Sequence, residues 1–207
     1  MSAPLTIYFI RHGEVHNPEH ILYGRMPGYG LSTTGRGQAS ATAHALKDIK
    51  LDALYSSPMQ RAQETAQIIA TRQATMPEIQ TDERINEIYT PYDGTPHSEL
   101  EKTMFDIYAG NQPPYEQPAD VRARLLNFLQ DMRRRHAQQR IAAVTHGDIV
   151  VTAFLYAMQY TGDDIARGKL VELGLPEPYP VTASMSVLTY RTDAADELPT
   201  YLYRRPY

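Results

Sequence analysis

Leu5-Thr6-Ile7-Tyr8-Phe9-Ile10-Arg11-His12-Gly13-Glu14 decides how the rest of this chain is read. Six residues of aliphatic, β-branched and aromatic character make a buried-strand pattern that stops at an arginine, a histidine and a glycine. Open α/β sheets bind ligands beyond the carboxyl ends of their strands. The pattern therefore delivers a cation and a nucleophile to a sheet edge, and each later segment matters for what else it brings there.

The same grammar recurs at Arg140–Thr145, an apolar strand that ends in His146-Gly147. Asp148 then opens a largely apolar helix to about Tyr160. Between these units, Leu51–Ser57 reads as a strand, followed after Pro58 by a helix from about Met59 to Thr71. That helix buries Met59, Ala62, Ala66 and Ile69 and carries Arg61 in its first turn, where a cation opposes the helix dipole. Such a placement suits a nearby anion; a solvated arginine is the alternative.

Other elements fill in around this frame. Leu31-Ser32-Thr33-Thr34 leads into a helix with Ala39, Ala43 and Leu46 on one face, with Thr33 or Thr34 as the N-cap. Ser98-Glu99-Leu100-Glu101 is a capping-box pattern, expected to open a short helix with Leu100, Met104, Ile107 and Tyr108 on one face. A longer helix is expected from Asp120 to about His136, ending in a solvated Arg133-Arg134-Arg135. Val181–Tyr190 and Pro199–Arg204 read as late strands, and Pro176–Pro180 as a connector. Alternating strands and helices predict a three-layer α/β sandwich, a mostly parallel sheet flanked by helices. The expected organisation is one domain over 1–207 with a lid-like insertion at about 76–118.

Composition narrows the function classes. The chain has 207 residues, net charge −4, 21% charged and 42% hydrophobic residues, and no cysteine. Disulfides, thiolate metal sites and a cysteine nucleophile are thereby excluded. The acidic total with interspersed signs argues against a nucleic-acid partner. Ile149–Met158, the longest apolar stretch, is far short of the roughly 20 residues of a spanning helix, so no membrane partner is expected. Met-Ser-Ala-Pro carries no leader pattern, and cytoplasm is the expected location.

Arg11, His12, Arg61 and His146 are each expected at a strand end or in the helical turn that follows one. Guanidinium forks match phosphate oxygens in bidentate fashion. A neutral imidazole nitrogen beside an immobilised phosphoryl group is a nucleophile; passive phosphate binding is the other reading of the same set. Charge and position do much of the work of phosphoryl transfer, so a dense cationic cradle suits it.

Arg11-His12-Gly13-Glu14-Val15-His16-Asn17 resembles the R-H-G signature of the histidine phosphatase superfamily, in its phosphoglycerate mutase-like branch. Gly24-Arg25 with Leu31–Ala39, Ser56–Ala66, Ile85-Asn86-Glu87 with Tyr92-Asp93-Gly94, and Val144-Thr145-His146-Gly147 match further family segments in order. The resemblance implies a phosphoglycerate mutase-like fold and phosphomonoester hydrolysis through a phosphohistidine on His12. Arg11, Arg61 and His146 would cradle the phosphoryl group, with Asn17, Gly24 and Gly147 also in the substrate-binding set. Glu87 would protonate the leaving oxygen and then activate water. That role needs a carboxyl protonated near neutral pH, through partial burial or a nearby phosphate; Glu83 is its local competitor. Gly13 would let the backbone pass close to the phosphate. Val15 stands where the family has threonine, and Met26-Pro27-Gly28 where it often has an acid.

Three rival readings follow. His12 and His16 are four apart, a zinc spacing on a helix, but H-G-E-V-H after a strand is not H-E-x-x-H, so no metal is expected. A cofactor-dependent phosphoglycerate mutase is the alternative within the family; residues 88–118 contain no arginine, and their only lysine is Lys102. A non-enzymatic phosphate-binding module would be expected to lose His12 or Glu87. The expected partner is a small phosphorylated substrate, without a cofactor; homodimerisation is left open.

Overall fold

The computed structural model describes residues 4–161 and 167–207; the N-terminal residues on which the leader reading rested lie outside them. The opening stretch is a strand, β1 (Leu5–Arg11), followed by α1 (Thr33–Leu46), β2 (Ala53–Ser56), α2 (Gln60–Ala70) and β3 (Ile79–Thr81). Then come α3 (His97–Leu100), α4 (Pro118–Arg135), β4 (Arg140–Thr145), α5 (Gly147–Ala157), α6 (Arg167–Glu172), β5 (Met185–Tyr190) and β6 (Thr200–Arg204). One six-stranded sheet has the order β3-β2-β4-β1-β5-β6. Its β3-β2-β4-β1 part is parallel, and β5 and β6 add antiparallel strands at the other side. No helix among the described residues is long and apolar enough to cross a membrane.

Side-chain alternation along the strands builds two cores, because successive residues point to opposite faces. Leu5, Ile7, Phe9, Ile141 and Ala143 face α4 and α5, where Leu125, Phe128, Met132 and Ile149 meet them. Ile10, Leu54, Ala142 and Val144 face α1 and α2, against Leu46, Ala66 and Ile69. Strands buried on both faces read as continuous apolar runs, which is why β1 and β4 are conspicuous in the sequence.

Several local expectations differ from the structure. Ser32, one residue earlier than expected, caps α1 by accepting from Gly35 N–H. The helix expected from Ser98 lasts four residues, with Pro96 at its N-cap position and no side-chain cap. It gives way to a 3-10 turn over Glu101–Thr103, and Met104 and Phe105 then take positive φ (53° and 57°). The capping box forms instead at Gln117 and Asp120, which start α4. Arg133 is not a solvated terminus, since its guanidinium lies 4.5 Å over the Tyr190 ring. The segment 76–118 contributes β3 to the sheet before it crosses the strand ends.

Candidate active site

Parallel pairing brings β1 and β4 to a common level. Arg11 is in register with Thr145, and His12 N–H continues the ladder to Thr145 O at 2.9 Å. His12 and His146 therefore leave adjacent strands side by side, with ring centroids 5.2 Å apart. Ser57 N–H bonds Val144 O at 2.9 Å, which carries the end of β2 and the start of α2 to the same edge.

His12 is buried, and its Nδ1 lies 2.8 Å from Gly13 O. A carbonyl only accepts, so Nδ1 carries the proton and Nε2 the lone pair. Arg61 Nε–H donates to that lone pair at 3.2 Å. Burial first, then the charges of Arg61, His146 and Arg11, hold the imidazole pKa well below its ordinary value. The ring is therefore neutral at pH 7.

Arg61 is 1% exposed, so its charge needs partners within the protein. Its Nη2 donates to Gly24 O at 2.8 Å and to Glu87 Oε2 at 3.2 Å, and is 3.2 Å from His146 Nδ1. The guanidinium also lies 4.7 Å over the Tyr23 ring. His146 Nε2 pairs with Ser57 Oγ at 2.7 Å, and burial lowers its pKa to about 4.

Glu87 Oε2 is 3.2 Å from His146 Nδ1, and Oε1 accepts from Ile88 N–H at 3.0 Å. Burial alone would raise this carboxyl. His146, Arg61 and the Ile88 amide outweigh it and hold the pKa well below the ordinary carboxylate value. Partial burial therefore does not keep Glu87 protonated in the free site, contrary to one of the two routes considered from sequence. Glu83 is exposed and accepts from Asn86 Nδ2 at 2.8 Å, apart from this cluster.

His12, Glu87 and His146 offer ligand atoms within 4.8 Å of one another, a spacing a metal ion could use. The Arg61 guanidinium already bonds all three, and a fixed positive charge there opposes a second cation. His16, the zinc-spacing partner considered from sequence, is exposed.

Arg11 Nη1 donates to Pro180 O at 2.6 Å, and the guanidinium lies 5.1 Å from the Tyr179 ring centroid. Its Nε–H is buried without a hydrogen-bond partner, a state that calls for a ligand acceptor or another explanation. Gly24 has φ +39°, and a Cβ there would sit 1.7 Å from Asp93 Oδ1. Gly147 would collide with the Tyr179 hydroxyl at 2.2 Å. Gly13 makes its close approach to Gly35 O, at 2.4 Å from an added Cβ, so packing against α1 is what demands glycine there. Asn17 is not brought to the cluster: its amide donates to Ile21 O at 2.9 Å and accepts from Ile21 N–H, bracing its own loop.

A cavity of about 820 Å³ opens over these groups, lined by Arg11, His12, Gly24, Glu87 and Gly147 among others. Of the tyrosines in the covering segment, Tyr108 reaches it, whereas Tyr89, Tyr92 and Tyr115 do not line it. His97, at the start of α3, also lines the cavity. Tyr23, Asp148 and Tyr179 are lining residues that sequence reasoning missed. The Pro176–Pro180 segment is therefore more than a connector, because it supplies Tyr179 to the wall and Pro180 O to Arg11. Nothing local in its sequence signals this.

A second missed group holds Glu87 from behind. Arg25 Nε and Arg124 Nη2 donate to Glu87 O at 2.8 and 3.2 Å. Glu116 joins the two arginines, at 3.1 Å to Arg25 and 2.6 Å to Arg124. Gly24-Arg25 belongs to a segment picked out in the sequence; Arg124 lies among ordinary helix residues and gives no such signal.

Comparisons with known proteins identify the family and the fold. The chain matches the sequence profile of the histidine phosphatase superfamily (branch 1) over residues 7–193. It is 38% identical to the uncharacterized protein Rv0525 of Mycobacterium tuberculosis, over 75% of this chain and 80% of that one. It is 33% identical to phosphoserine phosphatase 1 of Hydrogenobacter thermophilus, over 69% and 71%. The structure of Bacillus stearothermophilus YhfR superposes with a TM-score of 0.74 at 27% identity, over 96% and 94% of the two chains. Profile, relatives and fold converge with the paired strand ends: this chain belongs to the histidine phosphatase superfamily, branch 1.

Proposed function

We propose that the protein is a phosphatase that hydrolyses small phosphomonoesters through a phosphohistidine on His12. The observation that carries this reading is the His12 ring itself: Nδ1–H tied to Gly13 O, Nε2 unprotonated, and the imidazole neutral beside two arginines. A phosphoryl group placed there takes the Arg61 Nε–H that Nε2 now holds and supplies the acceptor that the Arg11 Nε–H lacks.

In the first step, Nε2 forms a bond to phosphorus as the bond to the leaving oxygen breaks, and that oxygen takes the Glu87 proton. In the second, Glu87 accepts a proton from water as the water oxygen bonds phosphorus and the N–P bond breaks. Phosphate leaves and His12 is neutral again. An incoming phosphate dianion raises the Glu87 carboxyl by like-charge repulsion, which supplies the proton when it is needed. Arg25 and Arg124 keep the Glu87 backbone from retreating during this exchange.

Hydrolysis is favoured over the mutase reaction by the cavity wall. Arg11 is the only Lys or Arg among the described lining residues, and Lys102 does not line the cavity. A phosphorylated sugar acid would find no second cation for its carboxylate. Phosphate release from p-nitrophenyl phosphate, compared with turnover of phosphoglycerate, tests the choice. His12→Ala should lower phosphate release by about 10⁴-fold or more and abolish an acid-labile phosphoryl label on the protein. Retention of full activity in that variant would remove the mechanism.

A further inference from the structure

Beyond the phosphate cradle the cavity changes character. Leu22, Ile88, Met104, Phe105 and Ile107 give it apolar walls. The carboxylates among its described lining residues are Glu87, Asp106 and Asp148. Glu87 belongs to the cradle, and Asp106 Oδ1 is answered by the amides of Tyr108 and Ala109 at 3.0 and 3.1 Å.

Asp148 is different. It stands in the first turn of α5, just past Gly147, and two phenols hydrogen-bond its carboxylate. Tyr179 OH donates to Oδ2 at 2.7 Å and Tyr108 OH to Oδ1 at 3.3 Å. A carboxylate with two neutral donors retains lone pairs for a third. Tyrosine faces also attract ammonium groups, most strongly where water is excluded.

Resting on the phosphatase reading above, we propose that Asp148, with Tyr108 and Tyr179, receives an ammonium group on the alcohol portion of the substrate. Phosphorylated amino alcohols are then the preferred class. The surrounding charge supports this choice. Burial raises the Asp148 carboxyl, Glu87 adds to the rise, and Arg11 is the cation that counters it. Arg11 faces the phosphate and is held by Pro180 O. A substrate ammonium relieves Asp148, whereas a second substrate anion is repelled by it. The apolar walls receive the carbon chain between the two ends.

Four phosphomonoesters that share a two-carbon chain isolate the effect: O-phosphoethanolamine, phosphocholine, ethyl phosphate and 2-phosphoglycolate. With the full chain, kcat/KM for the two cationic esters should exceed that for ethyl phosphate by about tenfold, with phosphoglycolate lowest. In Asp148→Asn the ratio of cationic to neutral ester should collapse to about one to three; the ratio is read within one variant, so a general loss of activity cancels. Tyr179→Phe should lower the same ratio by a smaller factor. Calorimetric Kd values for the four esters separate recognition from turnover. Cation-first binding without phosphate release from any ester would sink the phosphatase reading and leave this one standing. Phosphoglycolate equal to or better than phosphoethanolamine, an unchanged ratio in Asp148→Asn, or binding of none of the four overturns the inference.

Discussion

The strand-end floor of the cavity and the segment that covers it are built on opposite principles. On the floor, His12, Arg61 and His146 are buried, and each follows directly from an element locked into the sheet or packed against it. The cover consists of a four-residue helix, a 3-10 turn and two residues with positive φ, and Met104 at its tip is 85% exposed. It is held by scattered polar links, such as Thr90 Oγ1 to Ile107 O at 2.9 Å and Tyr92 OH to Ala109 O at 2.6 Å. The contrast teaches a division of labour. A ladder of strand hydrogen bonds fixes the level at which His12 and His146 leave the sheet. The cover adds Tyr108 and apolar side chains such as Met104 and Ile107 to the cavity wall, beside Asp148 and Tyr179, which come from α5 and the segment before β5.

Three measurements can break or sharpen this contrast, beginning with the largest effect. Arg61→Ala strips one partner from His12, Glu87 and His146 at once. It should cost about 3–5 kcal/mol in urea unfolding, as for a broken buried pair, and should lower kcat/KM by about 10³-fold. Met104→Ala in the cover should change stability by less than about 0.5 kcal/mol, as an exposed site does. Equal effects at the two positions would erase the distinction between floor and cover.

The floor should also carry an acid sensitivity that the cover does not. His146 titrates near 6.5 when unfolded and at about 4 when folded, chiefly because it is buried. Between those values the unfolded chain binds more protons, so stability falls as pH drops from about 6.5 toward 4. The loss from this one group is on the order of 3 kcal/mol. His12 shifts in the same direction and adds to it. Chemical denaturation from pH 7.5 to 4.5 checks the slope, and His146→Gln should flatten it. For the same reason the His12 imidazole, whose pKa is held well below the ordinary value, resists protonation, and under the proposed mechanism the acid limb of kcat/KM should lie below pH 6.5.

The smallest effect compares two serines near helix starts, one a cap that local reading overlooked and one a cap that it expected. Ser32 caps α1, accepting from Gly35 N–H at 2.9 Å, and Ser32→Ala should cost about 1 kcal/mol. Ser98 is exposed and caps nothing, so Ser98→Ala should cost less than about 0.5 kcal/mol. Thermal unfolding of the two variants resolves the difference.

The Ser98 case shows where local reading fails. Its capping-box pattern is a preference worth about 1 kcal/mol, and it does not form where the helix lasts four residues and the chain then turns through left-handed Met104 and Phe105. At Gln117 and Asp120 the same motif succeeds, because α4 buries Val121, Leu125 and Phe128 along one face. Tyr179 and Pro180 were illegible for another reason. Their role depends on β5 pairing beside β1, which brings a distant proline-rich segment under Arg11.

What the sequence by itself determined is the sheet frame and the identity of the groups at its edge. Continuous apolar runs ending in Arg-His-Gly and Thr-His-Gly permit few placements, since both faces of those strands must be buried. What only the tertiary structure decided is the state and setting of those groups. A lone pair on His12 Nε2, an ionised Glu87 in the free site and an acceptor-rich Asp148 all depend on desolvation and on charges from segments far apart in the chain. Such energies belong to distances in space, and no spacing along the chain encodes them.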